Sequence, residues 1–497
     1  MSTGIAAARE VEGAADMWGH PRQLWRLLAV TAGLNFGFYG FRAFLAPYIA
    51  QSFYGGLGEA AAQRHADLLA SGFLALMYAT PIVGGYVADK ILGEARSLAI
   101  SLWLGGVSLV LMALPSLFGF EIGLALFALA AGLGIPLTVL IGRNYTEDDS
   151  RREGGYTLYY LAINFGGFVA PFLCADFVGR RYGYRWGFIA AAMGLLCAAA
   201  VLQLGYARLR RALPRSELRH GAQAAPWVLV AIAALVYPTA KLLSQPQVLS
   251  VAMYALMGLL VLYFVVSCVR RRDRVQTQRY VALALLLIAL VLFWALSLQG
   301  VTSLNFFARD YVNAPFDYTL FQSANPLYIL ILAVPMALLW PWLSRRGRDP
   351  STPRKFGIGL LLVALSYGLM SAAIRYGTGT DGRVGWELLA ACYLLQTLGE
   401  LALSPIGYSL VGLLAAPEES SLAMGGWFFG VALAYQLAGW IATWTIGAAG
   451  SAHAGISSTG IAGYAHVYGL LFAAGIVVSA AYLLAAPGVK RLMHGVH

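Results

Sequence analysis

Runs of about twenty predominantly apolar residues recur along this 497-residue chain from residue 25 to residue 486. A helix of that length crosses the hydrocarbon core of a bilayer. Inside lipid every backbone N–H and C=O must be paired within the spanning element, so the runs read as transmembrane α-helices. Composition agrees, with 59% hydrophobic residues and 11% charged, against roughly 25% charged in a soluble domain. A soluble enzyme with one buried helix is excluded. The 13% aromatic content rules out disorder, and 56 glycines without a period rule out a collagen-like fibre. The fold class is an all-α polytopic membrane protein.

Apolar windows place spans at 25–50, 68–88, 98–118, 122–142, 156–176, 185–206, 226–243, 248–269, 280–303, 323–344, 355–375, 385–413, 420–447 and 464–486. Residues at span ends are counted with the loop they adjoin. With the N-terminus inside, 25 of the 34 Lys and Arg then fall on the inner side and 8 on the outer, with Arg42 within a span. That bias predicts two cytoplasmic termini and an even number of spans. It also explains the net charge of +11 through contact with anionic membrane lipid, without nucleic acid.

The polar stretches 207–225 and 270–279 bracket two helices that look inserted between two six-helix halves. The expected organisation is a cytoplasmic tail 1–24, a bundle 25–206, linkers with two inserted helices 207–279, a second bundle 280–486 and a cytoplasmic tail 487–497. GGYVADKILGEAR (84–96) and WPWLSRRGRDPSTPRK (340–355) stand at equivalent places in the two halves. This six-plus-six pattern resembles the major facilitator fold, so the expectation is two six-helix bundles plus two central helices, fourteen in all.

Little else in the chain suggests chemistry. Cys174, Cys197, Cys268 and Cys392 lie in apolar stretches without metal-ligand spacing and read as small core residues. His453 and His466 flank a Gly/Ser-rich stretch, GSAHAGISSTGIAGYAH (450–466), too sparsely for a metal site. No metal, organic cofactor, nucleic acid or obligate protein partner is expected, and the polar N-terminus does not read as a signal peptide. TEDDSRRE (146–153) reads either as an inner ion-pair hub or as a solvated loop.

Five ordered blocks carry a more specific resemblance: FGFYGFRAFLAPYI (36–49), GRNYTEDDSRREGGYTLYYLAINFGGFVAPFLC (142–174), FWALSLQGVTSLNFFARD (293–310), FQSANPLYIL (321–330) running into RRGRDPSTPRKFGIGLLL (345–362), and GELALSPIGYSLV (399–411) with GGWFFG (425–430). Together they resemble the proton-dependent oligopeptide transporter (POT) family. The resemblance implies a bacterial inner-membrane carrier, not an enzyme, that imports di- and tripeptides by alternating access with proton symport. The other reading is a facilitative or atypically coupled carrier of another amine-bearing solute. An intramembrane hydrolase would need a nucleophile with a base, or paired acids, and a lone Glu400 offers neither.

Ionisable groups at membrane depth cost roughly 2.5–3.5 kcal/mol on insertion scales and persist mainly when paired or working. Arg42 and Glu400 are the two prominent ones. By resemblance Glu400 receives the peptide amine, as a desolvated ammonium requires a charged acceptor, and Arg42 lies in the outer cavity. An ion pair between the two, or an outward-snorkelling Arg42, is the bland alternative. Family positions lining the cavity match Tyr39, Tyr78, Asn164, Trp294, Asn325, Ser404 and Trp427, with Phe38 where a second tyrosine is common. Taken singly, each aromatic reads as packing.

The chain departs from the family pattern at its charges. The ExxER positions hold Thr31, Leu34 and Asn35, the fourth-helix lysine is Ile135, and the seventh-helix glutamate is Leu298. Three acids and two bases are absent together, which strands no buried charge. Glu400 is then the proton-coupling candidate, or coupling is weak or absent. Asp310 and Asp317 are weaker alternatives at the outer end of that seventh helix.

Overall fold

The computed structural model describes residues 16–134, 136–145, 149, 151–211, 215–416, 419–449 and 458–495. Among them are fourteen long helices. The first seven are α1 Arg22–Arg42, α2 Glu59–Leu92, α3 Glu94–Met112, α4 Leu117–Gly142, α5 Arg152–Tyr182, α6 Tyr184–Arg211 and α7 Arg215–Leu243. The rest are α8 Pro246–Arg271, α9 Arg274–Tyr311, α10 Tyr318–Arg345, α11 Thr352–Tyr376, α12 Trp386–Leu414, α13 Ser420–Ala449 and α14 Ser458–Leu492.

Twelve of them are long and apolar enough to cross a membrane. Among the described residues the set leaves out α1, which the chain extends as Leu45–Phe53, and α12. Each of the fourteen expected spans therefore meets a helix.

Local chemistry sets the ends. The Ser116 hydroxyl accepts from Gly119 N at 3.1 Å, and Asp273 accepts from Val275 N at 2.9 Å, capping α4 and α9. Pro246 opens α8, where its missing N–H costs nothing. Arg272 is left-handed, φ 53°, and its N–H closes α8 on Cys268 O at 3.2 Å. Helices α2 and α5 each widen into π turns, at Ala88–Leu92 and Pro171–Gly179. The described β-structure is vestigial: Asp16–Met17 pairs antiparallel with His20–Pro21, and Val312–Asn313 runs parallel to Val384–Gly385.

The chain forms two compact units. One comprises residues 1–44 and 76–244, the other residues 45–75 and 245–497. In the first, α1 lies on α5 and α6, and α3 on α4 and α6. Leu24, Leu27, Leu98, Leu102, Leu140 and Ile141 fill its core, and Phe41 meets Phe127 edge-on and Phe188 at a tilt. Apolar area drives little association between helices already in lipid, so close fit must do it. Gly84 supplies such a fit: a Cβ there would fall 2.3 Å from the Gly132 carbonyl, so α2 and α4 touch backbone to backbone. Thr80 Oγ1 donates to Ala128 O across the same contact at 2.7 Å.

In the second unit α11 packs on α12 and α14, and α9 on α13. Phe307, Tyr464, Tyr468 and Tyr367 form an aromatic cluster between α9, α11 and α14. The inserted helices divide between the units. Ile232 of α7 packs with Leu92, Leu126 and Leu133 in the first, and α8 lies against α13 and α9 in the second. Both present exposed Val and Leu, among them Val230, Leu235, Val251 and Leu259, a surface suited to lipid.

Candidate functional site

Residues 393, 397 and 400 fall three or four apart along α12, on one face of the helix. Thr397 Oγ1 donates back to Tyr393 O at 2.8 Å. Asn325 enters from the first turns of α10. Its Nδ2, with two hydrogens, donates to Glu400 Oε2 at 2.7 Å and to Thr397 Oγ1 at 3.1 Å. A little further along α10, the Tyr328 hydroxyl donates to Ala390 O at 3.1 Å and fixes α10 on α12. Two residues named from the sequence, Asn325 and Glu400, are thus joined directly. The Glu400 side chain is half-buried, and a neutral amide orients it.

The remaining candidates of this unit stand as follows. Trp294 of α9 is half-buried with its ring edge-on to Phe293, 5.6 Å between centroids. Trp427 of α13 is only 2% exposed and packs edge-on to Phe356. The side chain of Ser404 lies outside the described residues.

In the first unit the Arg42 guanidinium lies 5.0 Å from the Tyr39 ring centroid and 5.7 Å from that of Phe38. Stacking of this kind shelters a cation at membrane depth. Tyr78 is half-buried on α2. Asn164 is buried on α5 and donates from Nδ2 to Tyr160 O at 2.9 Å.

Four of the five positions that lack family charges are described. Thr31 Oγ1 donates to Leu27 O at 2.7 Å, and Asn35 Nδ2 to Thr31 O at 2.9 Å. Leu34 joins the apolar core, and Leu298 is buried. Ile135 lies outside the described residues, as do His453 and residues 146–148 and 150 of the TEDDSRRE segment. In the rest of that segment Arg151 Nε donates to Asp149 Oδ1 at 3.0 Å. This hydrogen bond holds the Asp149 carboxyl below the usual range. Asp310 pairs with neighbouring Arg309 at 2.6 Å, and Asp317 accepts from Thr319 N at 3.0 Å.

Sequence reasoning missed two acids. Asp67 on α2 is fully buried, one residue outside the expected span 68–88. Glu419, between α12 and α13, accepts from Ser267 Oγ at 2.6 Å and from the Tyr263 and Tyr280 hydroxyls, with Arg271 3.5 Å away. Tyr280 in turn accepts from Ala416 N at 3.2 Å. Burial pushes the Glu419 carboxyl up, but these donors and the guanidinium outweigh it and hold it below the usual range.

The model of the POT family matches residues 97–456. The chain is 31% identical over 500 residues to the uncharacterized transporter YclF of Bacillus subtilis, covering 96% of each protein. It is also 31% identical to the peptide transporter YePEPT of Yersinia enterocolitica, over 86% of this chain and 89% of that one. Among solved structures it is similar to a peptide transporter POT in complex with sulfate, with TM-score 0.79 and 27% identity over 97% of this chain and 98% of that one. A POT family transporter in complex with 5-aminolevulinic acid superposes with TM-score 0.77 at 25% identity, over 96% and 98% of the two chains.

Proposed function

Since the chain belongs to the POT family, and so has the major facilitator fold, we propose that it is a secondary transporter importing di- and tripeptides by alternating access with protons. The observation that carries the reading is the Asn325–Glu400 pair, a half-buried carboxylate presented for an amine. Arg42, stacked on Tyr39, is the cation offered to the peptide carboxylate. Tyr78, Asn164, Trp294 and Ser404 complete the proposed lining, with Trp427 packed behind it. Glu400 is the proposed site at which amine binding and proton release meet, since a bound ammonium favours its charged form. The charge bias of the loops supports both termini in the cytoplasm of a bacterial cell, with the protein in its inner membrane.

The test is uptake of a labelled dialanine peptide into proteoliposomes, with and without an inward proton gradient. Accumulation only with the gradient is the expected result. Equilibrating uptake that ignores the gradient would make the protein a facilitator, and no uptake would refute peptide transport. C-terminally amidated dipeptides should be poor substrates, because Arg42 then loses its anion.

A further inference from the structure

In AAAQRHADLLASGF (60–73) the residues Gln63, Asp67 and Ser71 recur every four positions, on one face of α2. That face is turned into the second unit, where Asp67 is 0% and Ser71 1% exposed. Gln63 Nε2 donates to the Tyr464 hydroxyl of α14 at 3.1 Å. On α13, a Cβ added to Gly439 would come within 1.9 Å of Ser71 Oγ and 3.4 Å of Asp67 O, so only glycine admits α2 this closely. Between these contacts, neither carboxyl oxygen of Asp67 has a hydrogen bond of good geometry, and the Gln63 amide one turn away is the donor close to it.

The titratable and charged groups around it are few. On α9 they are Arg309, Asp310 and Tyr311, and on α14 Tyr464 and Tyr468. Glu59 stands on α2 itself, and α13 carries no charged residue. Arg309 is the cation in reach, and it is already engaged by Asp310 at 2.6 Å and Glu59 at 3.6 Å. A carboxylate ion stripped of water, with one neutral amide as its nearest donor, is disfavoured, whereas a neutral carboxylic acid is tolerated there.

We propose that Asp67 is a proton-binding site, second to Glu400, whose occupancy latches this face of α2 shut. The face closes on α13 and α14 only when the carboxylate has taken one proton from water, becoming –COOH. When it opens, the proton returns to water on the same side and the group is again –COO⁻. The proposal rests on the transporter reading for its purpose, since a latch of this kind makes closure of one gate respond to pH.

Its test needs no substrate. In the purified full-length protein, infrared difference spectra should show a protonated-carboxyl C=O band near neutral pH that is lost in Asp67→Asn and kept in Glu400→Gln. Hydrogen exchange of residues 59–75 should lose protection from acidic to alkaline buffer in the wild type, after correction for intrinsic exchange. In Asp67→Asn, which mimics the neutral acid, protection should persist. Asp67→Ser, smaller and uncharged, gives the same two readouts where the amide is not accommodated. A band retained in Asp67→Asn, or the same alkaline loss of protection in variant and wild type, overturns the proposal. A wild-type protein that moves no peptide refutes transport instead, and the two readouts still decide Asp67.

Discussion

A short hydrogen bond from Asn325 helps to hold Glu400 in position. The 2.7 Å contact from Asn325 involves a charged acceptor, a class worth about 1.5–3 kcal/mol. Asn325→Ala should therefore lower kcat/KM for dipeptide uptake by about tenfold or more. Glu400→Gln should abolish peptide-driven proton movement, read with a pH-sensitive dye inside the vesicles. Unchanged coupling in Glu400→Gln would remove that residue from the proton path. Glu400 was legible in the sequence because it is a lone acid deep in an apolar run. Asp67 was not, because Arg64 and His65 beside it make the stretch look like a loop end. Its neighbour Gln63 is bonded to Tyr464, about four hundred residues away in the chain, and no local window contains that partner.

At the scale of helices, each apolar window of the sequence meets a long helix, and the close approach at Gly84 falls in the GGYVADK stretch. What it could not locate was how helix ends are tied to one another. Glu419 gathers α8 through Ser267, Tyr263 and Arg271, and α9 through Tyr280, onto the connection between α12 and α13. One of two adjacent acids in a short loop, Glu418 and Glu419, gives no sign of four partners drawn from two other helices. Because the folded carboxyl lies below the usual range, its contribution is present at neutral pH. It is lost as pH falls below about 4.3, the ordinary glutamate value, and through the depressed folded value. Glu419→Gln should lower the thermal unfolding temperature in detergent, by a hydrogen-bonding loss of about 1–3 kcal/mol. The gap between variant and wild type should narrow on acidification. A gap that is constant with pH would assign the effect to packing alone.

For the molecule as a whole, family membership was legible in the five motif blocks, since their order survives even where their charges do not. The assignment of segments to units was not, because it follows from packing rather than from chain order. Residues 45–75 belong with residues 245–497, while the rest of α2 belongs with the first unit. Of the two inserted helices, α7 goes with one unit and α8 with the other, joined at Ser244 and Gln245. This division makes the protein resemble an exchanged pair written as one polypeptide. Cleaved between Ser244 and Gln245, the second fragment would lack a piece of its own interior, and the first would carry that piece as a surplus arm. Co-expressed fragments 1–244 and 245–497 should therefore copurify and regain uptake, whereas 245–497 alone should aggregate. Recovery of uptake would show that covalent continuity between Ser244 and Gln245 is dispensable, whereas its loss would make that link part of the fold.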